Sequence, residues 1–190
     1  MKTQLKLRYV LGLLVIVMSI SLNAQTTLMV KSSQSALSVS GTSTIHDWEM
    51  EVEEMKGNLL VSNMDDLESV QKGELSFNVK SLVSGQSLMN KKAYAALKES
   101  KHPVIKGKIL KIYSSASQYK VELELTVAGV TKAITSNFKT SIVNTTQIKV
   151  QGNFDLKLSD FDIEPPVAIM GTIKTGDAVN VKYSILFEKN

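Results

Sequence analysis

Residues 43–52 read "STIHDWEMEV" and place a hydroxyl, an imidazole and a carboxylate beside the only tryptophan of the chain. Ser43, His46 and Asp47 are the residue types of a nucleophile, a base and an orienting acid, which work only when the base reaches both partners. Residues an odd number of positions apart in a β-strand point to opposite faces. Read as a strand, the segment separates His46 from Asp47 and from Ser43. No nucleophile elbow of the G-x-S-x-G type occurs elsewhere. No catalytic residue is assigned. In the same phase His46 falls in line with Trp48, Met50 and Val52, while Asp47, Glu49, Glu51 and Glu53 make a wet face. The histidine is then either a neutral core group bonded to a backbone carbonyl, or a polar group on the wall of an apolar cavity. In such cavities a few polar groups orient the ligand.

Metal chemistry finds little support. His46 and His102 are the only histidines and there is no cysteine, whereas structural zinc takes four N or S ligands. "DFDIE" spaces Asp160, Asp162 and Glu164 at alternate positions, but without the length or glycine of an EF-hand loop. It reads as a solvated acidic loop, and no metal site is assigned.

The elements that must position these groups are mostly strands. In "YKVELELTV" the residues Tyr119, Val121, Leu123, Leu125 and Val127 share one face, and Lys120, Glu122, Glu124 and Thr126 the other. "AGVT" turns this run into one that aligns Ile134, Phe138 and Ile142, which predicts a hairpin. The same period aligns Ile148, Val150, Phe154, Leu156 and Leu158, then Val179, Val181, Tyr183, Ile185 and Phe187. Earlier, Leu75, Phe77 and Val79 fall together, as do Leu37 and Val39. Eight or nine strands with one apolar face suit antiparallel sheets, as a sandwich or as an up-and-down barrel. One amphipathic helix interrupts them: in "SLMNKKAYAALKESKHP" Met89, Ala93, Ala96 and Leu97 share a face, with Lys91, Lys92, Lys98 and Glu99 outward. Pro103 is expected to stop it and to extend His102. After it, "SDFDIEPPVAIMGTIKTGD" holds Phe161, Ile163, Val167, Ile169 and Met170 around a Pro-Pro break. So apolar a loop either plugs the core or lines a ligand entrance.

Residues 1–24 read as a cleaved secretory leader, with Lys2, Lys6 and Arg8 before an apolar run from Val10 to Ile20 and Ala24 at the cleavage site. This predicts a periplasmic protein whose residues 25–190 form a single domain. Losing those three basic residues takes the count from 22 to 19, against 18 acidic ones. The remaining cations are all lysine. A near-neutral chain without arginine forks is a poor fit to nucleic acid.

Four segments, in order, resemble the YceI-like family of exported lipid-binding proteins, in the subgroup common in Bacteroidetes. They are "SGTSTIHDWEMEVEEMKGNL", "SLVSGQSLMNKKAYAALKESKHPVI", "LTVAGVTKAI" and "LKLSDFDIEPPVAIMGTIKTGDAVNVKYSILF". The resemblance covers residues from about 35 to the end. It implies an all-β, lipocalin-like antiparallel barrel of about eight strands with one short helix and a long apolar cavity. It also implies a polyprenyl or quinone-type chain as the ligand. Many members carry an arginine, an aspartate and a histidine just before the helix, where this chain reads "LMNKK" (Leu88 to Lys92), so no role of those three carries over.

The expected function is a non-enzymatic carrier or store for a long apolar lipid, with no cofactor beyond that lipid and transient contact with a membrane surface. Strand parity and side-chain size nominate Trp48, Phe77, Leu123, Phe138, Phe154 and Tyr183 as cavity wall. His46, Met50 and Met89 join them, with Phe161 and Met170 near a mouth. The rival readings are an envelope enzyme with His46 as general base, and a solid-core barrel for structure or protein contact. Inward apolar residues look alike in a cavity and in a core, so sequence leaves the interior open or filled.

Overall fold

The computed structural model describes residues 25–115, 118–168 and 171–189. The expected leader (residues 1–24) and Ile169 and Met170 of the apolar loop lie outside them. The strands are β1 (Thr26–Val30), β2 (Ala36–Ser43), β3 (Trp48–Val52), β4 (Lys56–Val61), β5 (Val70–Asn78) and β6 (Leu82–Val83). They continue as β7 (Val104–Ser115), β8 (Gln118–Val127), β9 (Val130–Asn144), β10 (Gln147–Lys157), β11 (Val167–Ala168) and β12 (Ile173–Lys189). One α-helix is present among the described residues, α1 (Ser87–Ala96).

Neighbours run β1–β4–β5–β7–β8–β9–β10–β12, and β1 also pairs with β12, which closes an eight-stranded antiparallel barrel. The remaining segments extend these same strands. Leu28 faces Leu59 in β1–β4, and the hairpin carries on with Ser38 opposite Glu51 in β2–β3. Likewise Lys56 faces Ser76 in β4–β5, and Val52 faces Leu82 in β3–β6. Thus β1 with β2, β3 with β4 and β5 with β6 are three barrel strands, each broken once. The breaks satisfy their own backbone: Ser32 Oγ accepts from the Met55 amide at 3.0 Å, Ser35 Oγ from the Leu186 amide at 2.9 Å, and Ser81 O from the Glu53 amide at 2.8 Å. Closure pairs the first and last strands of the sheet with each other, which removes the two edges that an open sheet would expose.

In such a meander, successive connections alternate between the two ends. The β2–β3 turn, the α1 connection, the β8–β9 turn and the segment between β10 and β12 all lie at one end, the mouth. The start of β1, the end of β12 and residues 62–69 lie at the other, the base. Leu28, Val61 and Ile148 are almost wholly inaccessible there, with Leu59, Leu67 and Phe187 buried around them. A Lys31–Glu188 ion pair and a 2.7 Å bond from Gln147 Nε2 to Glu188 tie the base from outside.

Three expectations need correction. The helix ends at Ala96, well before Pro103, because Lys98 takes a left-handed conformation (φ 54°) that cannot continue it. Ile142, expected inside, is 57% exposed: it sits beside a slip in the β9–β10 register and two residues from the end of β9, where the wall no longer covers it. His46 lies outside β3, in the turn before it. The "AGVT" hairpin forms with Ala128 and Gly129 both at positive φ (50° and 86°), the two-residue turn that suits strand twist. A side chain on Gly129 would come within 2.5 Å of the His102 ring, so this glycine lets His102 pack the helix connection against the turn.

Candidate functional site

Alternation turns one face of each strand inward, and the inward set does not fill the barrel. A chamber of about 230 Å³ remains in its middle. Phe77, Leu123, Phe138, Phe154, Phe161 and Tyr183, all nominated from sequence, line it. So do Ile109, Ile112, Val121, Leu97 and Ile163, which were not nominated. Tyr119 stacks on Phe138 with centroids 5.4 Å apart, which fixes one side of the wall.

A polar pair is buried at this wall. Tyr183 and Ser136 hydroxyls lie 2.9 Å apart, and Ser136 Oγ also reaches the Asn137 and Asn153 carbonyls at 3.3 and 3.4 Å. The Tyr183 ring lies over Gly152, where a β-carbon would meet its hydroxyl at 2.5 Å. Burial pushes the Tyr183 hydroxyl above its ordinary 10.0, and the Ser136 bond opposes that. Tyr183 is therefore a neutral, hydrogen-bonded ring on an apolar wall, with no anionic role. Apolar surroundings of this kind hold water poorly and accept apolar guests.

A second chamber, of about 290 Å³, sits at the mouth beneath α1. Val39, Leu82, Leu97, Leu158 and Ile163 line both spaces, so the two abut through a shared wall. Met50, Met89, Trp48 and His46 line this outer one, together with Ala93, Ala96 and Leu97 of the helix face expected from sequence. The indole of Trp48 packs on Gly41, its partner across the β2–β3 ladder, and donates to the Thr42 carbonyl at 3.0 Å.

The rim is made of three segments bonded to each other. Thr44, in the β2–β3 turn, donates its amide to the Lys174 carbonyl at 3.0 Å, and its hydroxyl accepts from the Lys174 amide at 3.2 Å. Lys92 of α1 donates to the Val167 carbonyl at 2.8 Å, and Lys98 to the Asp162 carbonyl at 3.0 Å. Phe161 and Ile163 are buried against Val79, Ile105, Val127 and Ala128. The apolar Pro-Pro segment is thus plug and wall at once. No residue of α1 is fully buried.

His46 leaves the phase of Trp48 and the buried core, yet it lines the outer chamber. It is exposed in the turn, where period-two alternation does not apply, and its Nδ1 donates to the Asp47 backbone carbonyl at 2.7 Å. Ser43 does meet His46, but through the backbone: Ser43 Oγ accepts from the His46 amide at 3.3 Å and donates to its carbonyl at 2.7 Å. Serine here shapes the turn, and the imidazole has no carboxylate partner. Met170 lies outside the described residues. No cluster of three or more His, Asp or Glu side chains converges among the described residues.

A closed up-and-down barrel with an apolar interior, a packed base and a helix over the mouth is the architecture of a lipocalin-like binding barrel. A YceI-like domain model matches residues 28–187, and the chain belongs to that family. Solved structures agree on the fold. BcnA of Burkholderia cenocepacia superposes with a TM-score of 0.70 at 15% identity, over 83% of this chain and 98% of that one. A polyisoprenoid binding domain from Saccharophagus degradans, implicated in plant cell wall breakdown, gives 0.67 at 15% identity, over 88% and 100%. The Campylobacter jejuni YceI protein gives 0.61 at 16% identity, over 73% and 82%. A sequence search against curated proteins found no match.

Proposed function

We propose that the protein is a periplasmic carrier or store that holds one long apolar chain of isoprenoid type along the barrel axis, without catalysing a reaction on it. The carrying observation is the pair of abutting apolar chambers, closed at the base and leading to the mouth. Ligand sites commonly span about 300–1,000 Å³, and two apolar spaces that share lining residues give an extended chain more room than either gives alone. Membership of the YceI-like family and the likeness to a polyisoprenoid binding domain support the same class of guest.

The energetics suit a carrier. Burying a methylene from water is worth about 0.8 kcal/mol, so a free polyprenyl chain is insoluble. Passing it from a bilayer into an apolar barrel exchanges one oily surrounding for another, and both loading and release stay accessible. In this reading Trp48, Met50 and Met89 hold the chain near the mouth, and Phe77, Leu123, Phe138, Phe154 and Tyr183 hold its tail. His46 stands at the rim, where its Nε2 can meet a polar head.

Trp48 is the only tryptophan and lines the outer chamber, so its fluorescence reports on occupancy. Titration with a prenyl alcohol of increasing length is expected to change Trp48 emission saturably, with affinity rising as isoprene units are added. A flat response at every length would remove this reading.

A further inference from the structure

The mouth carries exposed apolar groups that the fold does not require. Ile45 (61% exposed), Leu88 (65%) and Val167 (51%) each stand on a different rim segment: the β2–β3 turn, α1 and the strand after Pro166. All three line the outer chamber, so they surround one opening. Among the described residues, the other exposed large apolar side chains, Met29, Leu110, Ile142 and Val143, lie on β1, β7 and β9 and line neither chamber. Single exposed apolar groups are ordinary on a protein surface, but a ring of them around an apolar opening marks a contact face.

Charge points the same way. The side chains lining the outer chamber include the cation Lys92 and His46 but no carboxylate. Lys91 and Lys174 stand exposed on the same rim segments, while Asp47, Asp160, Asp162 and Glu164 are exposed on those segments without lining the chamber. Lysine stems can lie along an apolar surface while their ammonium groups stay at head-group level.

We propose that the mouth docks on a lipid bilayer carrying anionic head groups, with Ile45, Leu88 and Val167 entering the acyl boundary and Lys91, Lys92 and Lys174 meeting the head groups. The proposal rests on the reading of the cavity as an apolar ligand site. An apolar chain leaving that cavity through water would expose every methylene on the way. A mouth seated in the bilayer gives it a continuous oily path. Interfacial binding of this kind grows with buried apolar area and with attraction to anionic lipid, so it is reversible when only three side chains enter.

The test is co-sedimentation of ligand-free protein with vesicles of phosphatidylcholine and phosphatidylglycerol that contain no isoprenoid. Wild type is expected to sediment, and the triple variant Ile45→Ser, Leu88→Ser, Val167→Ser to lose about tenfold or more in apparent affinity, as removal of inserted apolar area requires. The double variant Lys91→Glu, Lys174→Glu is expected to lose about tenfold on anionic vesicles, with the wild-type advantage fading as salt screens the charges. Lys91 and Lys174 line neither chamber, so Trp48 titration of that variant with a prenyl alcohol keeps the wild-type affinity, which separates docking from cavity binding. Wild type remaining in the supernatant, or both variants sedimenting as it does, would overturn the proposal.

Discussion

The base and the mouth of the barrel are built from the same alternating strands, yet they differ in packing. At the base Leu28, Val61 and Ile148 meet with almost no accessible surface. At the mouth, α1 has no fully buried residue, and Ile45, Leu88 and Val167 stand in the open. The base also draws side chains from β1, β4, β10 and β12, so one contact there ties distant parts of the chain together. One side of the mouth is packed, where Phe161 and Ile163 bury against Val79 and Val127, whereas the α1 side is held by lysine-to-carbonyl and threonine-to-backbone bonds, each worth about 1 kcal/mol net. The α1 side of the mouth is therefore the loosest part of the barrel, and an opening there costs the base little.

The largest expected effect tests that division at the base. Leu28→Ala should cost about 2–5 kcal/mol, as large-to-small changes at filled core sites do, while Met89→Ala in α1 should cost about 1 kcal/mol or less. Urea unfolding of the two variants measures both, and equal losses would break the comparison.

Next is the cavity itself. Gly107 lines the inner chamber, and a β-carbon there would meet only Leu123 Cδ1, at 3.7 Å. Gly107→Phe should place a ring in the space and lower affinity for a prenyl alcohol by about tenfold or more, equivalent to ~1.4 kcal/mol. Stability should hold or rise, since glycine weakens a strand interior. Unchanged affinity with a correctly folded variant would mean that the ligand lies elsewhere.

Tyr183 sharpens the boundary between wall and ligand site. Tyr183→Phe removes the bond to Ser136 and should cost about 1 kcal/mol. Burial holds the tyrosine above its ordinary 10.0, so its neutral form adds stability below that value and the gain is lost as pH rises through the raised folded value. Wild type should therefore lose stability above about pH 10 more steeply than Tyr183→Phe, as urea midpoints across alkaline pH would record.

The smallest effects belong to one carboxylate at each end. Hydrogen bonds from the Ser159 hydroxyl and amide hold Asp177 below the usual carboxylate range near the mouth, and Lys31, then Gln147, do the same for Glu188 at the base. Each adds stability above its unfolded value that is lost as pH falls through the folded one. Both are only half-buried and stay in contact with solvent, so Asp177→Asn and Glu188→Gln should only slightly flatten the acid limb of stability against pH. A large acid effect from either would show that its end is held more by charge than by packing.

Much of the fold is legible because strand parity is a local rule. Tyr119 to Val127 and Ile148 to Leu156 alternate cleanly, and the helix face of Met89, Ala93, Ala96 and Leu97 lines the outer chamber as its spacing predicts. Parity fails where strands end. Extending it from Trp48 back to His46 crosses from β3 into a turn, where Ser43 Oγ, by accepting from the Ile45 and His46 amides, sets the chain direction instead. Ser43 is itself a turn-forming residue type and was the available signal. The breaks in β1–β2 and β5–β6 appear in the sequence only as a change of phase, from Leu28 and Val30 to Leu37 and Val39 and from Val79 to Leu82, which a period of two reads as separate strands and not as one kinked strand. The open interior was not legible at all: Ile109 and Val121 would read the same in a filled core.

The account turns on whether that interior holds a lipid. The direct measurement is organic extraction and mass spectrometry of wild type and Gly107→Phe, each purified from the envelope of its native cell. One isoprenoid-type chain per wild-type molecule, depleted in Gly107→Phe, is the predicted result. Wild type that yields no apolar lipid, or no more than Gly107→Phe, would contradict it.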